Sequence, residues 1–252
     1  MKKVIHYCWF GRGELPELAI KCIESWKKYL PDYEIIQWNE DNFNVNENVY
    51  ISEAYKQKKY AFVSDYARLK IIYENGGIYF DTDVELINNI ELKYLENGFF
   101  ALEDKNLINT GLGFCAEKGN ELVKLMLNDY DNIHFVDKNG ETDLTSCPIR
   151  NSNSLLSRGI DISNEQINNM YILNKSFCNP LDYKTGLLKL KPNTFSIHHG
   201  AASWLNKEQR KFMEKRHYYI KKYGVLLGYG FYYIYKIYCI IFSKKISCGG
   251  KI

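Results

Sequence analysis

One stretch of this 252-residue chain, Ser64 to Asp83, constrains the fold more than any other. It reads SDYARLKIIYENGGIYFDTD. Val63, Ala67 and Ile71 recur at i, i+4 and i+8, and Asp65 and Arg68 at i, i+3, which predicts a helix over 64–74. Asn75-Gly76-Gly77 is a helix stop and a turn, because glycine accepts the positive φ that ends a helix. Ile78-Tyr79-Phe80 has strand chemistry and runs directly into Asp81-Thr82-Asp83.

Two carboxylates two residues apart at a strand end share one face by the period of a strand. Hard oxygen donors a few Å apart suit Mn²⁺ or Mg²⁺, ions that keep positions open for water or phosphate oxygens. Asp81 and Asp83 are therefore candidate metal ligands, and the ion would act as a Lewis acid on a departing diphosphate. An isolated D-x-D is a weak signal; its setting after helix, Gly-Gly turn and apolar strand gives it weight.

Upstream, Lys3 to Phe10 reads as a buried first strand, Leu15-Pro16 opens a helix carrying Ala19, Cys22, Ile23 and Trp26, and Tyr33 to Trp38 is a second strand. A polar loop leads to a short helix over 49–58. Strand, helix, strand, helix is the pattern of parallel α/β units, which bind ligands at the carboxyl ends of their strands. Gly11 and Gly13 are not followed by G-x-G-x-x-G, so a dinucleotide site is not supported. Downstream, Val84 to Leu95 reads as a loop and a short segment leading away from the site. Gly98 to Leu102 and Leu107 to Cys115 read as strands, the second with Asn109-Thr110-Gly111 inside it. Glu117 to Asp131 reads as an amphipathic helix.

S-D-x-x-R followed by G-G-x-Y-x-D-x-D, seventeen residues from Ser64 to Asp81, resembles the sugar-nucleotide-binding region of glycosyltransferase family 32. That family includes yeast α-mannosyltransferases, animal α-1,4-galactosyltransferases and bacterial capsular polysaccharide or lipopolysaccharide transferases. The catalytic domain of the large clostridial toxins looks similar over the same block. The resemblance spans roughly residues 3–206. It implies a GT-A type, Rossmann-like mixed sheet flanked by helices, with residues 1–206 as catalytic domain and 207–252 as a C-terminal helical extension. It implies a retaining, nucleotide-sugar-dependent hexosyltransferase of surface polysaccharide biosynthesis. The donor expected is a UDP-sugar, with GDP-mannose the alternative, and the acceptor a saccharide or lipid-linked saccharide.

The resemblance also carries residue roles. Asp65 and Arg68 grip the donor sugar beside Ser64. Trp9, at the end of strand one, stacks near the base, although Cys8 and Trp9 alternate faces and only one can point at the site. Tyr79 packs beneath the D-x-D. Asn109 contacts the sugar or the acceptor. Ser196 to Trp204 (SIHHGAASW) resembles the family's H-H-x-x-x-S-W ending, in which a late residue completes the metal shell. His199 is preferred over His198, since the two point opposite ways on an extended chain, and Ser203 and Trp204 close over the diphosphate. Asp83 with His199 ligates the metal, and Asp81 helps directly or through metal-bound water or the ribose. Thr145 to Leu155 fits the family's T-G-P-x-x-x-T only loosely, because Ser146-Cys147 stands where the glycine would be.

Composition bears on compartment and on the tail. Seven scattered cysteines without a C-x-x-C argue against a zinc site or a disulfide framework and for a reducing compartment. No apolar run of signal-peptide length follows Met1-Lys2-Lys3, so a cytoplasmic location is expected. Residues 207–252 hold eleven Lys and Arg against two Glu, a balance of +9, and the rest of the chain carries −6. Tyr223 to Phe242 is apolar and aromatic, long enough to span a bilayer in principle. Its tyrosines and central Lys236 fit an interfacial helix better, one lying on an anionic membrane at the inner face of the cell membrane.

Other classes fit less well. Asp81 and Asp83 are too close in sequence to flank a glycosidic bond as a hydrolase pair would. The basic residues sit beside an apolar run and not in a groove, which disfavours nucleic acid. A non-catalytic sugar-nucleotide or polysaccharide binding module and a toxin-like protein glucosyltransferase stand as alternatives.

Overall fold

The computed structural model describes residues 1–201 and 207–248, which form two compact units, one of 1–180 with 190–199, the other of 181–189 with the chain from 200 onward. The first unit begins β1 (Val4–Cys8), α1 (Glu17–Tyr29), β2 (Glu34–Trp38), α2 (Val49–Lys56), α3 (Tyr60–Asn75), β3 (Gly77–Tyr79), β4 (Val84–Leu86), α4 (Leu92–Asn97). It continues β5 (Phe99–Asp104), β6 (Leu107–Ile108), β7 (Phe114–Ala116), α5 (Glu121–Asn128), α6 (Cys147–Leu156), β8 (Gln166–Ile167), β9 (Met170–Leu173) and α7 (Lys175–Cys178). Then come β10 (Leu181–Asp182) and β11 (Leu187–Leu188) of the second unit, β12 (Ser196–His198) of the first, and α8 (Lys207–Cys248).

The expected α/β class is what the first unit shows. A mixed eight-stranded sheet runs β2-β1-β3-β7-β5-β9-β8, with β6 on β5. β1 pairs in parallel with β2 and β3, and β5 with β9, while β7 is antiparallel to β3 and β5. All five residues of β1 are buried, as a central strand covered on both faces requires. Its alternation divides the core. Ile5 and Tyr7 pack with Trp26, Phe80 and Phe99 on one face, and Cys8 packs with Leu69, Tyr79 and Phe114 on the other.

The helix, Gly-Gly turn and strand are formed as the spacing predicts, with α3 starting four residues earlier, at Tyr60. Gly77 has φ 108°, and a Cβ there would stand 2.6 Å from the Val4 carbonyl, so only glycine lets the chain leave α3 and pair at once with β1. His6, buried on β1, secures the corner. Its Nδ1 accepts from Trp38 Nε1 at 3.0 Å, which leaves Nε2–H to donate to the Gly76 carbonyl at 3.0 Å.

Two expectations are corrected. Val84–Leu86 is not loop but strand β4, antiparallel to β12 with His198 opposite Val84. Its three residues are too short for a pattern to register. The segment 107–115 is not one strand: a 3-10 turn over Thr110–Leu112 separates β6 from β7, capped by Asn109 Oδ1 on the Gly111 N–H at 2.7 Å. Residues 207–248 form two helical arms, and the apolar run lies almost wholly in the second. Gly224, at φ 78°, breaks α8, and the arms before and after it lie side by side. Phe212 meets Tyr235, and Tyr219 and Tyr223 meet Phe231. Gly228 allows this approach, since a Cβ there would stand 2.5 Å from Ile220 Cα. In the same unit Arg216 Nη2 and His217 Nε2 both meet the Tyr183 carbonyl, holding the β10–β11 hairpin to α8. Among the described residues no helix is long and apolar enough to cross a membrane.

Burial lowers the His6 imidazole from 6.5 to about 4. A folded-state pKa below the unfolded one gives stability that is complete above pH 6.5 and is lost as pH falls toward 4, here about 3 kcal/mol. Urea melts of wild type and His6→Gln should therefore converge by that amount between pH 7 and 4. Groups common to both proteins cancel, and parallel pH profiles would contradict the assignment.

Candidate functional site

The site starts from α3. Arg68 lies one helical turn after Asp65 and is 4% exposed, so its charge needs partners. It has two: Nη2 is 3.0 Å from Asp65 Oδ1 and 3.0 Å from Asp81 Oδ1. Nε donates to the Ser64 carbonyl at 3.1 Å, and the guanidinium lies over the Tyr79 ring, 5.1 Å from its centroid. Tyr79 donates its hydroxyl to Asp81 Oδ1 at 2.9 Å. Ser64, Asp65, Arg68, Tyr79 and Asp81 thus form one connected network. Ser64 enters it through its main chain.

Asp83 is brought beside Asp81 by a turn closed by Val84 N on the Asp81 carbonyl at 3.0 Å, and not by strand alternation as the spacing suggested. The pairing of β4 with β12 then delivers a histidine from far along the chain. One ligand-type atom each of Asp81, Asp83 and His198 lie within 4.8 Å of one another. His198 Nε2 stands 3.1 Å from Asp83 Oδ1. The sequence argument chose His199, and the structure corrects that choice. Adjacent residues do point opposite ways, but it is His199 that turns away, with Nε2 2.7 Å from Glu85 Oε2, an oxygen Lys21 also holds at 2.9 Å.

Alternation also separates Cys8 from Trp9. Cys8 faces the network, near enough for Arg68, Asp81 and Asp65 to act on its thiol, while Trp9 packs on the opposite face of the sheet and donates Nε1–H to the Gly13 carbonyl at 2.7 Å. The structure does not bring Trp9 into contact with the acidic cluster. Asn109 is close to it. A Cβ on Gly111 would collide with Asp81 Oδ2 and stand 2.9 Å from Asn109 Oδ1 and 3.0 Å from Arg68 Nη1, so all three crowd one glycine. Ser203 and Trp204 lie outside the described residues.

The start of α6 supplies residues that sequence reasoning passed over. Cys147 Sγ is 3.5 Å from Arg68 Nη1 and 3.2 Å from Thr110 Oγ1, and Asn151 Nδ2 donates to the same hydroxyl at 3.0 Å. They stand where Ser146-Cys147 replaces the resembled glycine, and that departure was the available signal. Arg150, one turn on, lies over the rings of Tyr50 and Tyr130 and pairs with Asp143 at 2.6 Å.

Burial dominates the electrostatics. It raises Asp65 to about 6 against the pull of Arg68, and it raises Asp81 for the same reason. Burial alone would lower Arg68, but Asp81, Tyr79 and Asp65 carry it well above its usual range. For His198, burial again lowers, and Asp83, Asp81 and Glu103 outweigh it, so the imidazole holds its proton more tightly than a free one. Two carboxylates and an imidazole of these types suit a divalent cation of the Mn²⁺ kind, which takes mixed oxygen and nitrogen donors.

The sequence profile of the glycosyltransferase sugar-binding region containing a DXD motif matches residues 16–101. The matched span holds the Asp65–Arg68 pair and the D-x-D, while Asn109 and His198 lie beyond it. Over the matched residues the chain is similar to glycosyltransferase sugar-binding regions. Similar solved structures include the PaToxG glycosyltransferase, 18% identical with a TM-score of 0.45 over 62% of this chain and 68% of that one. A glycosyltransferase involved in the glycosylation of the major capsid of PBCV-1 is 12% identical, also with a TM-score of 0.45, over 84% of this chain and 98% of that one. No curated protein sequence matches the chain.

Replacing Arg68 by Met would strand two partly buried carboxylates, a loss of up to about 3 kcal/mol at pH 7. The sign with pH follows from the pull of Arg68 on both carboxylates: without it Asp65 and Asp81 rise further in the folded state, so protonation favours the folded variant more than wild type as pH falls. The deficit of Arg68→Met in urea melts should shrink from pH 7 to pH 4.5, and a pH-independent deficit would refute the burial argument.

Proposed function

We propose that this chain is a metal-dependent, retaining glycosyltransferase that moves a sugar from a nucleotide diphosphate to a saccharide or lipid-linked saccharide hydroxyl. The observation that carries the reading is the convergence of Asp81, Asp83 and His198 beside the buried Asp65–Arg68–Asp81 network, in a chain that matches a DXD sugar-binding region. Residues 1–206 form the catalytic domain in this reading, of GT-A type, and UDP-sugars are favoured over GDP-mannose as donor.

Asp81, Asp83 and His198 would hold the cation, Mn²⁺ or Mg²⁺. When bound, such an ion neutralises charge developing on a departing diphosphate. Asp65 accepts hydrogen bonds from donor-sugar hydroxyls, and Arg68 fixes Asp65 in place while offering positive charge to the sugar and phosphate end. Asn109 presents an amide beside Gly111. Trp9, half-exposed after β1, is the candidate for stacking on the base, and Ser203 and Trp204 for covering the diphosphate. As the bond from the anomeric carbon to the phosphate oxygen breaks, the acceptor oxygen bonds that carbon on the same face. The acceptor's proton passes to the departing phosphate. No carboxylate is placed as a nucleophile in this scheme, so positioning and fixed charge supply the catalysis.

The broken helix α8 supports attachment to an anionic membrane surface at the inner face of the cell membrane, with surface polysaccharide as the pathway. It exposes Leu226, Leu227, Tyr233, Ile234 and Ile237 in a segment flanked by Lys221, Lys222, Lys236, Lys244 and Lys245.

Nucleotide release from a panel of nucleotide sugars tests the chemistry without the acceptor, since slow transfer to water suffices. Mn²⁺-dependent release from one donor is expected, reduced at least 100-fold in Asp83→Ala and His198→Ala and less than threefold in His199→Ala. Correctly folded protein that neither releases nucleotide nor binds any nucleotide sugar with Mn²⁺ in calorimetry would leave a binding or structural module instead. For the membrane surface, the protein should sediment with phosphatidylglycerol-containing vesicles and be released by 0.5 M salt. Ile234→Glu should weaken this, and equal binding to neutral vesicles would contradict it.

A further inference from the structure

Next to the turn at Gly111 stands a carboxylate that neither the motif pattern nor the metal cluster includes. Glu103, near the end of β5, is half-buried, and its Oε2 accepts from Asn109 Nδ2 at 3.0 Å. Its main chain is tied as well, since the Glu103 carbonyl accepts from buried Asn179 Nδ2 at 3.3 Å. Asn109 Oδ1 accepts from the Gly111 N–H at 2.7 Å, so the amide is oriented at both ends. This matters because an amide held only at one end can turn over and exchange donor for acceptor.

The pair is left with two unused functions. The second N–H of Asn109 Nδ2 and Oε1 of Glu103 have no partner among the described residues. One donor beside one anionic acceptor is the pattern that a sugar ring matches, because each hydroxyl both donates and accepts. The position is right for a sugar. Asn109 Oδ1 crowds Gly111 together with Arg68 and Asp81, so Glu103 is one hydrogen bond removed from the group that grips the donor. Its charge also reaches His198. Any side chain at position 111 would fill the space between these groups.

We propose that Glu103 is a specificity-determining residue that receives a hydroxyl of the donor's sugar on Oε1, beside an Asn109 N–H that donates to a neighbouring sugar oxygen. This rests on the transferase reading above and deepens it, since it assigns recognition of the sugar to a carboxylate separate from those beside the diphosphate. No bond is made or broken by Glu103.

The test is calorimetry with Mn²⁺ on wild type and Glu103→Gln. The probes are UDP-glucose, UDP-galactose, UDP-N-acetylglucosamine and GDP-mannose, with free UDP and GDP for comparison. Gln keeps the size but turns an N–H outward where the acceptor was. Affinity for the nucleotide sugar that wild type prefers should fall about tenfold or more, as loss of a hydrogen bond to a charged group implies, while affinity for the free diphosphate stays within twofold. Nucleotide-sugar affinity within twofold of wild type would overturn the proposal, and so would an equal loss for sugar nucleotide and free diphosphate, which a purely structural role gives. If Glu103→Gln does not melt like wild type, Glu103→Asp keeps the charge one methylene short and carries the same expectation. Wild type that binds no nucleotide sugar at all would defeat the transferase reading itself, a result visible without any variant.

Discussion

A buried guanidinium shared between two carboxylates organises this protein. Arg68 is nearly inaccessible and sits between Asp65, on its own helix, and Asp81, at the end of the strand that follows. Removing such charges from water is expensive, and apolar residues of the same volume would often serve stability as well. The arrangement holds three polar groups rigid at the carboxyl end of a parallel strand, which such sheets use for ligands. Its neighbours are fitted around it: Tyr79 below the guanidinium, Cys147 beside Nη1, and Gly111 where any side chain would collide with Asp81.

Half of the site is local and half is not, and this decides how much could be read from sequence. The helix, the Gly76-Gly77 turn and the strand lie within twenty-odd residues, and each carries its own signal: helical period, positive φ, apolar strand chemistry. The pairing of β4 with β12 carries none. Each strand has three residues, and the register joining Val84 to His198 spans more than a hundred positions. Sequence alternation showed that His198 and His199 face opposite ways, but the face toward Asp83 is set by that register. The same limit applied to Cys8 and Trp9, where the direction of β1 against α3 made Cys8 the residue near Arg68.

Other misses have separate physical reasons. Asn109-Thr110-Gly111 reads as strand because Leu107, Ile108, Phe114 and Cys115 flank it, yet an asparagine that caps its own turn interrupts the ladder there. Nothing in the pattern marks Gly224 as the point where α8 turns, yet its left-handed φ sets the basic arm against the apolar one. His6 looked like an ordinary strand residue. Its role depends on Trp38 and Gly76, from two other segments, and no spacing rule connects the three.

The charge around the site argues for what it must accept. Asp65, Asp81, Asp83 and Glu103 lie near one another, and among the described residues Arg68 directly bridges two of them. The excess is partly met by His198, whose proton is held more tightly because Asp83, Asp81 and Glu103 surround it. A proton and a divalent cation compete for the same imidazole nitrogen, so a site that raises this pKa also favours a cation that displaces the proton. In the proposed transferase, with the diphosphate end balanced in that way, Asp65 and Glu103 would remain as further carboxylates, held by Arg68 and Asn109. They are suited to hydroxyls, which need acceptors and no charge compensation. The division between a cation-seeking cluster and hydroxyl acceptors beside it suits the proposed donor, which is anionic at one end and polyhydroxylic at the other.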